Sequence, residues 1–233
     1  ATLANGLKLH VLRRPEVPIA AVRLACPGGL LTESKETSGI TRFLNAMWTR
    51  GTRSPSAADF ARTVEGLAAE IDGFSGRNSI GLTLDSLSET LDPALALFAE
   101  ALLEPRFDPA EIDRERRETL AALERREDRL GQRAFQLFSQ TEFEEHPYHL
   151  TVLGERAGVE AFDADALRAH SARLVRADRA AIAVVGDVDP EKVGRALADR
   201  LGALPTGGDD FALPAERPRG VGVRESSLIK DRA

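Results

Sequence analysis

The chain has 233 residues, 42% hydrophobic and 29% charged, which supplies an ordinary buried core for one large domain or two small ones. Its charges are mixed in sign and sum to -6 with no like-charged block, which excludes a nucleic-acid surface or a polybasic membrane contact as the organising feature. The longest apolar runs, such as 180–185, fall far short of the roughly 20 residues a membrane helix needs, so no bilayer span is expected.

A single cysteine, Cys26, rules out an internal disulfide framework and a Cys-rich zinc module, and its plainest reading is a small buried residue at a strand end. The start at Ala1 says nothing of compartment, and cytosol and periplasm stay equally open.

In chain order, Asn5-Gly6 beside the alternating stretch 8–12, and the β-rich run 19–25 ending at Pro27-Gly28-Gly29, predict an opening hairpin or meander. Ser38 is placed to cap a helix over 38–49, whose Phe43, Leu44, Met47 and Trp48 form a broad apolar stripe and which Gly51 ends. Ser56 precedes a second helix with Phe60, Val64, Leu67 and Ile71 at helical spacing, and 74–84 returns to strand character. An Asp cap followed by Pro announces three later helices, at Asp92-Pro93, Asp108-Pro109 and Asp189-Pro190. The second of these runs long and highly charged to about residue 129, after which Gly131 interrupts it and a further helix carries Phe135, Leu137 and Phe138. Asp163 caps a helix to about residue 175, and 180–186 is a short apolar strand. Interleaved strands and helices predict an α+β domain, a mostly antiparallel sheet covered by helices. After Leu204 the composition turns to Pro, Thr, Gly and Asp, so 1–205 is expected to be the domain and 206–233 a linker with the possible start of a second one.

The segment Gly39-Ile-Thr-Arg-Phe-Leu-Asn-Ala-Met-Trp-Thr-Arg-Gly-Thr52 resembles the zinc-site helix of the pitrilysin/insulinase metallopeptidases, the inverzincins. Phe43, Leu44, Met47, Gly51 and Thr52 match that family's pattern outright. The similarity continues through Asn5-Gly6-Leu7, Glu33, Pro105-Arg-Phe-Asp-Pro109, Arg114-Glu-Arg116, His146-Pro-Tyr148 and Val184-Val-Gly-Asp-Val-Asp-Pro190, about residues 2 to 205 in all.

Active members place two His at i and i+4 as zinc ligands, a Glu at i+3 as general base and a later Glu as third ligand. By the resemblance those positions here are Arg42, Ala46, Asn45 and Ala122. Arg42 brings a fixed positive charge, the two alanines carry no donor atom, and Asn45 cannot accept a proton. The resemblance therefore implies no cofactor, no zinc and no peptidase chemistry in this chain itself. Neither Arg42 with Asn45 nor the pair His146 and His149 makes a replacement centre, since no nucleophile and base or third ligand accompanies them. His10 and His170 have no visible partners and are expected to be ordinary surface or satisfied residues.

By the resemblance Asp72, Gly73, Phe74 and Ser75 fall where active relatives carry the edge strand on which an extended peptide is laid, although a simple turn into the next strand fits Gly73 and Gly76 equally. The implied role is a non-catalytic subunit that closes a peptide chamber around a zinc-bearing homologous partner and helps hold its peptide substrate. The alternative is a pure scaffold derived from the same fold, and an enzyme of different chemistry finds no triad or phosphate loop to rest on.

Overall fold

In a computed structural model, which describes residues 1–53, 55–208 and 227, five strands form one sheet in the order β1-β5-β2-β4-β3. They are β1 (Lys8–Arg13), β2 (Ile19–Pro27), β3 (Glu70–Ser75), β4 (Ser79–Leu87) and β5 (Ala181–Gly186). Every neighbouring pair is antiparallel except β1 with β5. Eight helices accompany them: α1 (Ile40–Met47), α2 (Ala57–Gly66), α3 (Leu91–Leu103), α4 (Pro109–Glu127), α5 (Leu130–Glu142), α6 (Arg156–Ala161), α7 (Ala164–Leu174) and α8 (Pro190–Leu201). The expected α+β architecture with a mostly antiparallel sheet is what the fold shows.

Residues alternate across the strands as the two-residue period requires. Val22 and Leu24 of β2, Leu82 and Leu84 of β4 and Ile182 and Val184 of β5 are fully buried. They share one apolar cluster with Phe43, Leu44, Met47 and Trp48 of the α1 segment and with Leu95, Phe98 and Leu102 of α3. The opposite face keeps Leu12, Ile19 and Val185 exposed.

The opening is not a hairpin. β5 lies between β1 and β2, with His10 opposite Ala183 on one side and Arg23 opposite Ala183 on the other. An almost wholly apolar six-residue strand is most stable where both of its edges are paired, and that preference overrides the local turn signal between β1 and β2. The stretch 74–84 likewise resolves into two strands, β3 and β4, joined by a tight turn over 76–78, and Ile71, expected in the second helix, belongs to β3 opposite Leu84 because α2 ends at Gly66. Among the described residues β3 is one of the sheet's two terminal strands, β1 being the other.

Capping devices act as expected at Ser56, Asp108, Asp163 and Asp189, each of which accepts a hydrogen bond from the first turn of its helix. Two expectations need correction. α3 starts at Leu91, because a 3-10 turn over Ser88–Thr90 runs straight into it, and Pro93 then falls in a first turn where its missing N–H costs nothing. Asp92 is free to pair with Arg200 of α8 at 2.9 Å. Gly131 lies inside α5, and the break between α4 and α5 falls at Asp128 and Arg129 instead. The expected linker over 206–233 lies almost wholly outside the described residues.

Candidate functional site

α1 is the hub of the candidate site, and its N-terminus is built differently from the expected Ser38 cap. Gly39 is the capping residue in a left-handed conformation (φ 90°), and an added Cβ there would meet the backbone of Gly154 at 2.6 Å. The buried carboxylate of Glu33 accepts from the Gly39 N–H at 2.8 Å and the Thr41 N–H at 3.0 Å. It therefore satisfies two of the donors a helix start leaves open, with negative charge at the positive end of the helix dipole. Ser38 itself donates to the carbonyl of Thr151 at 3.0 Å. Burial pushes the Glu33 carboxyl above its ordinary range, opposed by the hydrogen bonds from Thr41 and Gly39 and by nearby Arg173.

Beside it, His170 of α7 is buried with its Nε2 2.9 Å from the Thr41 hydroxyl, and desolvation, with the charge of Arg173 second, lowers it to about 4. The imidazole is neutral at physiological pH and serves to hold α7 against α1. His170 is thus a satisfied core residue, with a partner that the sequence did not reveal.

The next residue of α1, Arg42, reaches α4. Its Nη1 donates to Glu115 Oε1 at 3.2 Å and to the Thr119 hydroxyl at 3.0 Å. Glu115 is only 3% exposed, and its other oxygen accepts from Arg50 at 3.0 Å. Arg50 continues to Glu118 at 2.9 Å and Glu111 at 3.6 Å. One buried carboxylate is thus held between two guanidinium groups, the arrangement that offsets the cost of burying it. Glu115, Thr119 and Ala122 follow at intervals of four and three along α4, so Arg42 faces the stripe to which Ala122 belongs.

Asn45, on the same face of α1, reaches the sheet instead of α4. Its Nδ2 donates to the carbonyls of Phe74 at 3.3 Å and Gly81 at 3.2 Å, clasping β3 and β4 together. Gly73 makes room for this contact, since a Cβ there would sit 2.1 Å from the Asn45 amide. The tip of the same hairpin is held by Arg77, whose guanidinium lies over the rings of Phe135 and Tyr148 at 5.6 and 5.3 Å. Of the four strand residues singled out in the sequence, Asp72 is exposed while Gly73, Phe74 and Ser75 are half-buried. His146 and His149 belong to a 3-10 turn in which His146 Nδ1 accepts from the Tyr148 N–H, which gives both histidines a structural place.

The resemblance would put a zinc ion beside Arg42, Asn45, Ala46 and Ala122, and the residues present do not fit one. A guanidinium anchored to Glu115 and Thr119 holds positive charge where a ligand lone pair is required, and an amide nitrogen bound to two carbonyls offers nothing to a metal. Among the described residues, no three His, Cys, Asp or Glu side chains converge as a metal site. The site residues that sequence reasoning missed are Glu33, Glu115 and Arg50. All three sit in segments that carry the resemblance, and the spacing of Glu111, Glu115 and Glu118 on one helical face was the available signal. Cys26 is buried, and desolvation pushes its thiol up to about 12, so it is inert. Among the described residues no helix is long and apolar enough to cross a membrane.

Similar proteins place this geometry. An uncharacterized zinc protease of Rickettsia bellii is 25% identical over 214 residues, which is 92% of this chain and 52% of that protein. The mitochondrial-processing peptidase subunit beta of Blastocladiella emersonii is 23% identical across 97% of this chain and 49% of its own length. The chain spans about half the length of the curated relatives it matches. Among solved structures, a peptidase M16 inactive domain from Pseudomonas fluorescens superposes with a TM-score of 0.87 at 25% identity, covering 92% of this chain and 52% of that one. The first half of the periplasmic protease PqqL from Escherichia coli shares the fold, with a TM-score of 0.79 at 19% identity over 93% of this chain and 49% of that one. The family model for the insulinases matches residues 10–156, well over half of the chain, which therefore belongs to the insulinase family, peptidase family M16.

Proposed function

We propose that this chain is a non-catalytic component of a two-part M16 metallopeptidase, forming part of the peptide chamber and holding substrate for a homologous zinc-bearing partner. The observation that carries this reading is the side-chain exchange on α1. Where an active member needs a ligand and a base, Arg42 is committed to Glu115 and Thr119, and Asn45 to the backbone of the β3–β4 hairpin. Hydrolysis of a peptide needs a polarised carbonyl and a base within reach of water, and Arg42, Asn45, Ala46 and Ala122 supply no proton acceptor for it.

What is retained supports substrate holding. Among the described residues β3 is a terminal strand, held by Asn45 at Phe74 and by Arg77 at the hairpin tip, so Asp72, Gly73, Phe74 and Ser75 offer a preformed backbone edge. Docking of an extended peptide on such an edge relies on main-chain hydrogen bonds, which survive the loss of catalytic side chains. A proline scan over 72–75 in a complex reconstituted with a zinc-bearing homologue tests it. Backbone N–H groups alternate between facing β4 and facing outward, so proline at the outward positions should weaken peptide turnover while assembly persists. Turnover untouched by every folded proline variant would leave only the scaffold role.

A further inference from the structure

We propose that Arg42 is a substrate-selecting residue, which grips a carboxylate side chain, Asp or Glu, of the peptide that docks along β3. The inference rests on the peptide-holding role proposed above and adds the chemical class of substrate.

A guanidinium carries five N–H donors in one plane. In Arg42 only Nη1 is occupied, by Glu115 and Thr119, while Nε and Nη2 have no partner among the described residues. The side chain is 34% exposed, so this second edge is open to solvent while the first anchors it. That edge, one N–H from Nε and one from Nη2, is the pair that meets a carboxylate with two parallel hydrogen bonds. Anchoring on the buried Glu115 removes most of the rotamer entropy that a free surface arginine would lose on binding.

Position decides what the edge meets. Arg42 and Asn45 are three residues apart on one face of α1, and Asn45 touches the carbonyl of Phe74 in the terminal strand itself. A peptide strand added to β3 at the usual spacing of about 4.8 Å would pass over this face of the helix and bring alternate side chains toward it. The neighbouring surface does not oppose an anion, since Glu111, Glu115 and Glu118 are all paired with Arg42, Arg50 or Arg114. Ala46 is uncharged, the paired arginines neutralise Glu115, and Asp72 alternates with Gly73, whose Cβ position faces Asn45, and so lies on the other face of β3. Charge at a metal's place is thereby kept and turned from activating a carbonyl to selecting an acidic residue.

The test uses the full-length protein and fluorescein-labelled ten-residue peptides of Ala, Thr and Val with one Glu moved through successive positions, each paired with its Gln counterpart. At one position the Glu peptide should bind about five- to ten-fold tighter than the Gln peptide, a preference that falls with added salt. In Arg42→Met the Glu-over-Gln preference should vanish. Arg42→Lys keeps the charge near Glu115 but lacks the planar edge, and should keep only a small part of it. Wild type binding Glu and Gln peptides equally at every position overturns the inference without needing any variant, as does a preference that persists in folded Arg42→Met. In either case the docking role stands, because peptides still bind. If no peptide of the set binds at all, both readings fall together.

Discussion

Two polar clusters on one short helix behave in opposite ways. At the start of α1, Glu33, Thr41 and His170 are buried and spend their polar atoms on one another and on the helix backbone. On the adjoining side of the same helix, Arg42 and Asn45 are partly exposed, and each spends only part of its hydrogen-bonding capacity, on α4 and on the β3–β4 hairpin. The first cluster fixes where α1 lies, and nothing in it depends on a metal. On the function proposed above, the second occupies the face that carries the metal centre in active members, and the packing of α1 does not depend on that centre.

The comparison breaks most easily at Glu33. Glu33→Ala leaves two buried N–H donors at the start of α1 without an acceptor, and should cost about 4 kcal/mol in denaturant unfolding, with Glu33→Gln costing about half of that. A smaller loss from Glu33→Ala than from any change at Arg42 would invert the assignment of roles.

His170 makes the same cluster sensitive to acid. Its folded value of about 4 lies below its ordinary 6.5, so the unfolded chain binds a proton that the folded chain refuses. Stability contributed by the neutral ring is full above pH 6.5 and is lost as pH falls through about 4, by roughly 3 kcal/mol in all. Glu33, whose carboxyl is raised by burial, works in the opposite sense, gaining stability as it protonates. Unfolding curves from pH 7 to 4 should therefore show a steeper loss in wild type than in His170→Asn, which keeps a polar partner for Thr41 but does not titrate. Parallel curves would remove the role given to His170.

At the second cluster the effects are smaller, because both arginines can return to water. Glu115→Ala should cost about 2 kcal/mol, since the side chains of Arg42 and Arg50 are 34% and 21% exposed and rehydrate in part. The smallest effect sharpens the hairpin contact. Gly73→Ala should cost about 1 to 2 kcal/mol by driving the Asn45 amide off the carbonyls of Phe74 and Gly81, and most of that cost should disappear in an Asn45→Ala background. Full additivity of the two substitutions would show that the clasp contributes nothing.

How much of this was legible follows from the range over which each signal acts. The caps at Ser56, Asp108, Asp163 and Asp189 were readable because donor and acceptor lie within three residues of one another. Insertion of β5 between β1 and β2 was not, since its partners lie more than 150 residues away and no local pattern encodes them. Glu33 caps α1 from six and eight residues upstream, outside the spacing of any local capping rule. Arg42, Asn45, Ala46 and Ala122 were found only through the resemblance. What the side chains do there needed coordinates, because Glu115 is 73 residues from Arg42, and the short amide of Asn45 had two directions open to it.

Zinc content of the purified full-length protein, set beside that of a variant combining Arg42→His, Asn45→Glu, Ala46→His and Ala122→Glu, tests the loss of the metal centre most directly. Wild type should hold far less than one zinc per chain by elemental analysis and hydrolyse no peptide alone, whereas the folded quadruple variant should gain roughly one. About one zinc per wild-type chain, lost on substituting Arg42 or Ala46, would contradict the central claim.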